Sequence, residues 1–295
     1  MLIGRVLITG SNGFVGRNIA NELLKKYSVI GVSLHKTNLT GLPITYLQAD
    51  LSDSQSLERL NNFQFDAIIH CAASISMDNN DPRLIDTNLR GTLNVINLAK
   101  HTGCRHFIYL SSVQVIGIPV ELPIDETHLI YPRTFYHLTK YIGETYLEQA
   151  VEDFPSTVLR LSSPIGAGMP VNRFLPFIIK QCLKNEPLRL LGKGGRVQNY
   201  IDISDIARAV VQVLDTAKTG LFNLVSTHSY SNLEVTEICI RTLQSASKIS
   251  FGGDDPEENH KWVFSTEKIR NVLGFCPDKS LERTIKEISS MNHLL

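Results

Sequence analysis

Thr9-Gly-Ser-Asn-Gly-Phe-Val-Gly16 stands between an apolar run, Val6-Leu-Ile-Thr9, and a helical pattern from Gly16 to Lys26. A glycine-rich turn that closes a strand and opens a helix is the phosphate-cradling turn of a parallel α/β fold. Gly10 permits the tight turn, Gly13 lets backbone approach a pyrophosphate, and Gly16 lets the helix pack closely on the sheet. Free N–H groups at the helix start face the anion. The turn's position in the chain carries this reading, because the glycines are spaced three and three rather than two and three. The competing reading is an ordinary strand-to-helix turn.

Outward from the turn, apolar runs alternate with helical patterns. Val29–Val32, Ile44–Leu47, Ala67–Ile69, Phe107–Leu110 and Thr157–Leu161 read as strands. The segments from about Leu57 to Leu60, Pro82 to His101 and Tyr136 to Glu152 read as helices. Six or so continuously apolar strands with crossover helices predict an α/β fold, a doubly wound parallel sheet of the Rossmann type. After Leu161 the chain becomes richer in Pro and Gly, with helical periodicity at Ile206–Leu214 and Leu233–Leu243 and a strand at Leu221–Val225. The expected organisation is an NAD(P)-binding domain over residues 1–162, to which residues about 196–226 return. A smaller, partly interleaved C-terminal substrate lobe takes most of 163–295. Gly252–Glu258 is polar and reads as a mobile surface loop.

Lys+Arg and Asp+Glu both number 29, so net charge is zero and no broad surface for nucleic acid or anionic lipid is expected. Five scattered cysteines, Cys71, Cys104, Cys182, Cys239 and Cys276, have no paired spacing for zinc or redox work, and no metal is expected. No run reaches the roughly 18 apolar residues a spanning helix needs. The chain is therefore expected to be cytoplasmic and to have no membrane partner.

The second strand ends in Ser33-Leu-His-Lys36, where an acidic residue would select NAD(H) by accepting from the ribose 2′-hydroxyl. Ser33, His35 and Lys36 suit a 2′-phosphate instead, so NADP(H) is favoured over NAD(H); a solvated loop is the alternative. Asp50, beside Leu51, is positioned to accept from the adenine amino group or to cap the segment starting at Ser52. Ala72, Ala73 and Ser74 put small side chains where a cofactor would lie against backbone, with ordinary strand-end packing as the alternative.

Tyr136-His-Leu-Thr-Lys140 places a phenol and an ammonium four apart, on one helix face. The cation is expected to lower the phenol's pKa and make Tyr136 an acid/base near neutrality. Lys140 is also expected to hold the nicotinamide ribose. A surface pair is the alternative. Ser111-Ser112 ends the preceding strand on the side where open α/β sheets bind ligands. Ser112 can orient a substrate oxygen there, or simply cap the next segment.

These residues resemble the extended short-chain dehydrogenases/reductases, in particular the NAD-dependent epimerase/dehydratase group that acts on nucleotide sugars. The resemblance covers nearly the whole chain and also includes Asn88-Leu-Arg-Gly-Thr92, Gly117, Glu144, Leu159-Arg-Leu161, Gly166 and Asn199–Asp205. It implies that Ser112, Tyr136 and Lys140 are the catalytic group and that Ser11, Asn12, Phe14, Val15 and Asn88, with Ser111 and Leu161, join the cofactor contacts. Asn88 has a second reading as a buried amide bridging helix and strand. The resemblance further implies substrate contacts at Ser163, Arg196 and Gln198, and a homodimer.

Departures narrow the subclass. Val113-Gln114 follows the catalytic hydroxyl where dehydratases carry Asp-Glu. Gln198 replaces an arginine that clamps the nucleotide diphosphate, and Ile116 replaces a tyrosine. The expected activity is an NAD(P)-dependent nucleotide-sugar 4-ketoreductase or epimerase. Alternatives are an alcohol dehydrogenase or carbonyl reductase on a non-nucleotide substrate, and a non-catalytic NAD(P)-sensing protein.

Overall fold

The computed structural model describes residues 4–291. The apolar runs form strands β1 (Arg5–Thr9), β2 (Ser28–Ser33), β3 (Thr45–Gln48), β4 (Ala67–His70), β5 (Phe107–Ser112) and β6 (Ser156–Leu161). Short strands follow: β7 (Ser163–Ile165), β8 (Leu188–Leu190), β9 (Val197–Asp202), β10 (Gly220–Leu224), β11 (Ser229–Ser231) and β12 (Ile249–Phe251). The α-helices are α1 (Phe14–Leu23), α2 (Gly91–His101), α3 (Phe135–Gln149), α4 (Phe174–Lys184), α5 (Ile203–Thr216), α6 (Asn232–Leu243), α7 (Glu267–Leu273) and α8 (Leu281–Ser289).

Seven strands make one parallel sheet in the order β10-β6-β5-β4-β1-β2-β3. The winding reverses between β1 and β4, whose ends Thr9 and His70 are register partners. In such sheets the crevice at that reversal is where ligands bind. Alternate side chains along each strand enter opposite cores. Val6 and Ile8 pack with Ile19 and Leu23 of α1 and Ile206, Val210 and Val213 of α5. Leu7 and Ile68 pack on the other side with Val95 and Ala99 of α2 and Leu147 of α3. Both faces are thus covered, which is why these strands read as continuous apolar runs.

A separate cluster joins α4, α6 and α8 around Ile179, Leu188, Val235, Cys239 and Ile285. Two small sheets border it, β11-β9-β7 and β12-β8. Among the described residues no helix is long and apolar enough to cross a membrane.

Three readings of the sequence are corrected. The stretch Pro82–His101 is not one helix: Leu84–Arg90 is a π-helical turn that passes into α2. The wider turn carries Asn88 on its buried side, and Gly91 comes so close to Leu51 that a Cβ would sit 3.1 Å from the Leu51 Cβ. Of residues 196–226, β10 joins the central sheet and α5 packs on it, but β9 pairs with β7 and β11 while lending Ile201 to the same core. Gly252–Glu258 is tethered, because the Glu258 carboxylate accepts from the backbone N–H groups of Lys193 (3.1 Å) and Gly195 (2.7 Å).

Candidate active site

The glycine-rich turn closes on itself through Gly13 N–H donating to the Gly10 carbonyl at 2.9 Å. Gly10 has φ +68°, and a Cβ there would lie 2.8 Å from Ala72 Cα. At Gly16 a Cβ would lie 2.3 Å from the Gly10 carbonyl oxygen. The turn and the exit of β4 therefore meet backbone to backbone. Helix α1 begins at Gly13 with no side-chain cap and no acidic residue in its first turn, which leaves its N–H groups for an anion. These features fit the pyrophosphate of a dinucleotide.

The predicted contacts around this turn divide. Phe14 and Val15 are half-buried, at the start of α1. Ser11 is fully buried with its hydroxyl toward the Val32 carbonyl, so only its backbone can face a ligand. Asn12 organises the loop after β2: its amide donates to Ser33 Oγ (3.2 Å), the Thr37 carbonyl (3.0 Å) and Tyr46 Oη (3.1 Å), and its oxygen accepts from Leu39 N–H (2.9 Å). The Ser33 hydroxyl also meets Tyr46 and His35, so it is committed within the loop, while His35 and Lys36 are exposed. Asp50 Oδ1 accepts from the N–H and hydroxyl of Ser52 in a local turn, and because the next helical segment starts only at Gln55, with Ser54 as its N-cap, the expected capping role of Asp50 is corrected. Leu51 and Leu161 are buried apolar contacts.

Asn88 is 2% exposed and ties three elements together. Its oxygen accepts from Ser74 N–H (2.7 Å), and its amide donates to the Ser74 carbonyl (2.9 Å) and to Thr139 Oγ1 (3.0 Å). Thr139 donates in turn to the Tyr136 carbonyl at 2.7 Å. The bridging role is the one the geometry carries. Ala73 lies between this bridge and Ala72, whose N–H donates to Thr9 Oγ1 at 3.3 Å.

Helix α3 begins where Thr134 Oγ1 accepts from His137 N–H, and it packs over the end of β5. Lys140 is 4% exposed and donates from Nζ to the Leu110 carbonyl at 2.8 Å. Burial brings the ammonium down to about 8, with Cys71 and Glu144 opposing. Tyr136 is half-buried, and burial pushes its phenol up to about 12; the cation that opposes this is Arg173, at the start of α4. The expectation that Lys140 makes Tyr136 acidic is therefore corrected. Desolvation dominates, and the ammonium is turned to the Leu110 carbonyl.

Ser112 Oγ accepts from Gln114 N–H at 3.2 Å, capping the short turn Val113–Ile116. Its own hydroxyl hydrogen is left to donate elsewhere. The Ser111 hydroxyl donates to Glu144 Oε1 at 2.5 Å, beneath a buried Glu144–Arg160 ion pair at 2.7 Å, so it is not a free cofactor contact. Ser163 is exposed at the start of β7. Arg196 pairs with Glu257, and Gln198 donates to Asn232 Oδ1 at 3.0 Å. Both expected substrate contacts, Gln198 on β9 and Arg196 just before it, are thus held by protein partners.

Three participants escaped the sequence reading. Arg173 has no motif. Thr139 sits inside Tyr136-x-x-Thr-Lys140, where its hydroxyl could have been noticed. Tyr109 lies under Lys140, hidden in an apolar strand run.

The family model described as "NAD dependent epimerase/dehydratase family" matches residues 6–224. UDP-glucuronic acid decarboxylase 1 of Danio rerio is 28% identical over 97% of this chain and 72% of its own length. UDP-glucose 4-epimerase of Bifidobacterium longum, solved with NAD+ and UDP, superposes with a TM-score of 0.82 at 26% identity, covering 97% of each chain. UDP-glucose 4-epimerase of Thermotoga maritima, solved with UDP-glucose, gives 0.88 at 22% identity over 97% of each chain, a likeness of fold.

Proposed function

The chain belongs to the NAD-dependent epimerase/dehydratase family, the extended short-chain dehydrogenases/reductases, and from that premise we propose that it is a nucleotide-sugar 4-ketoreductase or epimerase, with the reductase favoured. The observation that carries this reading is the placement of Tyr136 and Lys140 on one helix packed over the carboxyl end of β5, where Ser112 lies. A nicotinamide dinucleotide, when bound, supplies hydride exchange at a carbinol or ketone carbon. Gly10, Gly13 and the uncapped start of α1 would hold its pyrophosphate, and Lys140 its nicotinamide ribose.

Tyr136 keeps its proton at neutral pH, because burial holds the phenol up near about 12. A protonated phenol gives that proton to a ketone oxygen as the carbonyl is reduced. Ser112 donates to the same oxygen and supports the charge developing on it. The relatives with bound UDP and UDP-glucose support a nucleotide-sugar substrate. The commitment of Arg196 and Gln198 to Glu257 and Asn232 favours, as a second reading, a carbonyl substrate without a nucleotide.

NADP(H) is the proposed cofactor, on the ground that residues 33–37 carry no carboxylate and leave Lys36 exposed. Assembly as a cytoplasmic homodimer through α2 and α3 belongs to the same reading, supported by the exposed Leu93, Leu138 and Tyr141. Stoichiometric loss of NADPH with a nucleotide-linked 4-keto-6-deoxy sugar tests the reductase. No loss across uridine, thymidine and guanosine nucleotides of that sugar would leave the epimerase or the second reading.

A further inference from the structure

Lys140 is a buried ammonium whose one hydrogen-bond acceptor among the described residues is the Leu110 carbonyl. Among the described residues no carboxylate pairs with it, because Glu144, one turn along α3, is committed to Arg160 and Ser111. An ammonium so poorly solvated needs another source of negative potential. The Tyr109 ring lies in range for this: Lys140 Nζ stands over it, 4.9 Å from its centroid.

The ring is held with unusual completeness. Tyr109 is 1% exposed, and on β5 it stacks on His70 of β4 at 5.7 Å and 17°. His70 is fixed at both nitrogens, to Thr9 Oγ1 (2.7 Å) and Thr92 Oγ1 (3.0 Å). Thr92 donates its hydrogen to the Asn88 carbonyl at 2.6 Å, so it must accept from His70 Nε2–H. Full burial keeps the imidazole neutral, its pKa brought down to about 3, so His70 Nδ1 accepts from the Thr9 hydroxyl. On the helix side, Gly143 is what admits the ring, since a Cβ there would lie 2.2 Å from the Tyr109 hydroxyl.

Of the other titratable groups around Lys140, only Glu144 adds negative potential, from one turn away and without contact. On β4, His70 is neutral, and burial pushes the Cys71 thiol up to about 12, so it stays protonated. On α3, the Tyr136 phenol is protonated and Glu144 is paired. We propose that the face of Tyr109 is the second ligand of the Lys140 ammonium, and that Tyr109 is a positioning residue that keeps that ammonium charged and in place. Its consequence for turnover rests on the Ser112/Tyr136/Lys140 reading above; its test does not.

The test follows the Cε resonance of Lys140 against pH in the whole protein without nucleotide, with the signal assigned by Lys140→Arg. Tyr109→Phe keeps the aromatic face and is expected to keep the midpoint. Phenylalanine with increasing numbers of ring fluorines at position 109 weakens the face at nearly constant volume, and is expected to lower the midpoint stepwise by about one pH unit over the series. Tyr109→Leu is expected to do the same. A midpoint that stays constant through the fluorinated series, or that falls fully on Tyr109→Phe alone, overturns the proposal. A graded series in a protein that binds no dinucleotide would sink the functional reading and leave the role of Tyr109 standing.

Discussion

The Asn88 carboxamide donates to Thr139 Oγ1 at 3.0 Å, and through it the exit of β4 and the helix carrying Tyr136 are one hydrogen-bonded unit. Asn88→Ala leaves the half-buried Ser74 N–H and carbonyl without their side-chain partner, while the Thr139 hydroxyl keeps only the Tyr136 carbonyl. The expected cost is about 2–3 kcal/mol of stability, read from urea denaturation. A loss under about 0.5 kcal/mol would mean the bridge carries little.

The Glu144–Arg160 pair is 6% and 4% exposed, so neither charge is solvated without the other. Glu144→Ala is expected to cost about 3–5 kcal/mol, whereas the double change Glu144→Leu with Arg160→Met costs less than either single change. Denaturation of the three variants checks the order. A double variant as weak as the sum of the two would show that the pair is not a desolvation problem.

His70 is fully buried, and burial, assisted by the Lys140 charge, lowers its pKa from 6.5 to about 3. The unfolded chain therefore binds a proton that the folded chain refuses between those values. The resulting stability is complete above about pH 6.5 and is lost as pH falls toward 3, by about 2 kcal/mol at pH 5. Denaturation midpoints from pH 8 to about pH 5 measure it, and His70→Gln should flatten that slope.

How far the sequence could be read divides along a physical line. The strands, the glycine-rich turn and the Tyr136/Lys140 helix are set by periodicity and by local backbone needs, and they could be read directly. The direction of a side chain's polar end depends on partners far along the chain. Glu257 claims Arg196 from 61 residues away, and the Leu110 carbonyl takes Lys140 from 30. No spacing rule carries those distances. The π-helical turn at Leu84–Arg90 was hidden for a related reason, since its helical pattern is intact and only the buried bridge of Asn88 marks the wider turn.

Lys36 is exposed beside the loop that Asn12 holds, with no partner among the described residues. Lys36→Ala is expected to weaken NADP(H) about tenfold, by roughly 1.4 kcal/mol, and to leave NAD(H) unchanged. Fluorescence titration with both cofactors checks this. Equal affinities in the unaltered protein would remove the proposed preference.

The account turns on a proton held at Tyr136 beside a dinucleotide. Its most direct measurement is the rate of NADPH consumption with a nucleotide-linked 4-keto-6-deoxy sugar, compared between the unaltered protein and Tyr136→Phe, with dinucleotide affinity measured in parallel. The expected result is a loss of about 10²- to 10⁴-fold in rate with affinity preserved. Turnover undiminished in Tyr136→Phe would contradict the account.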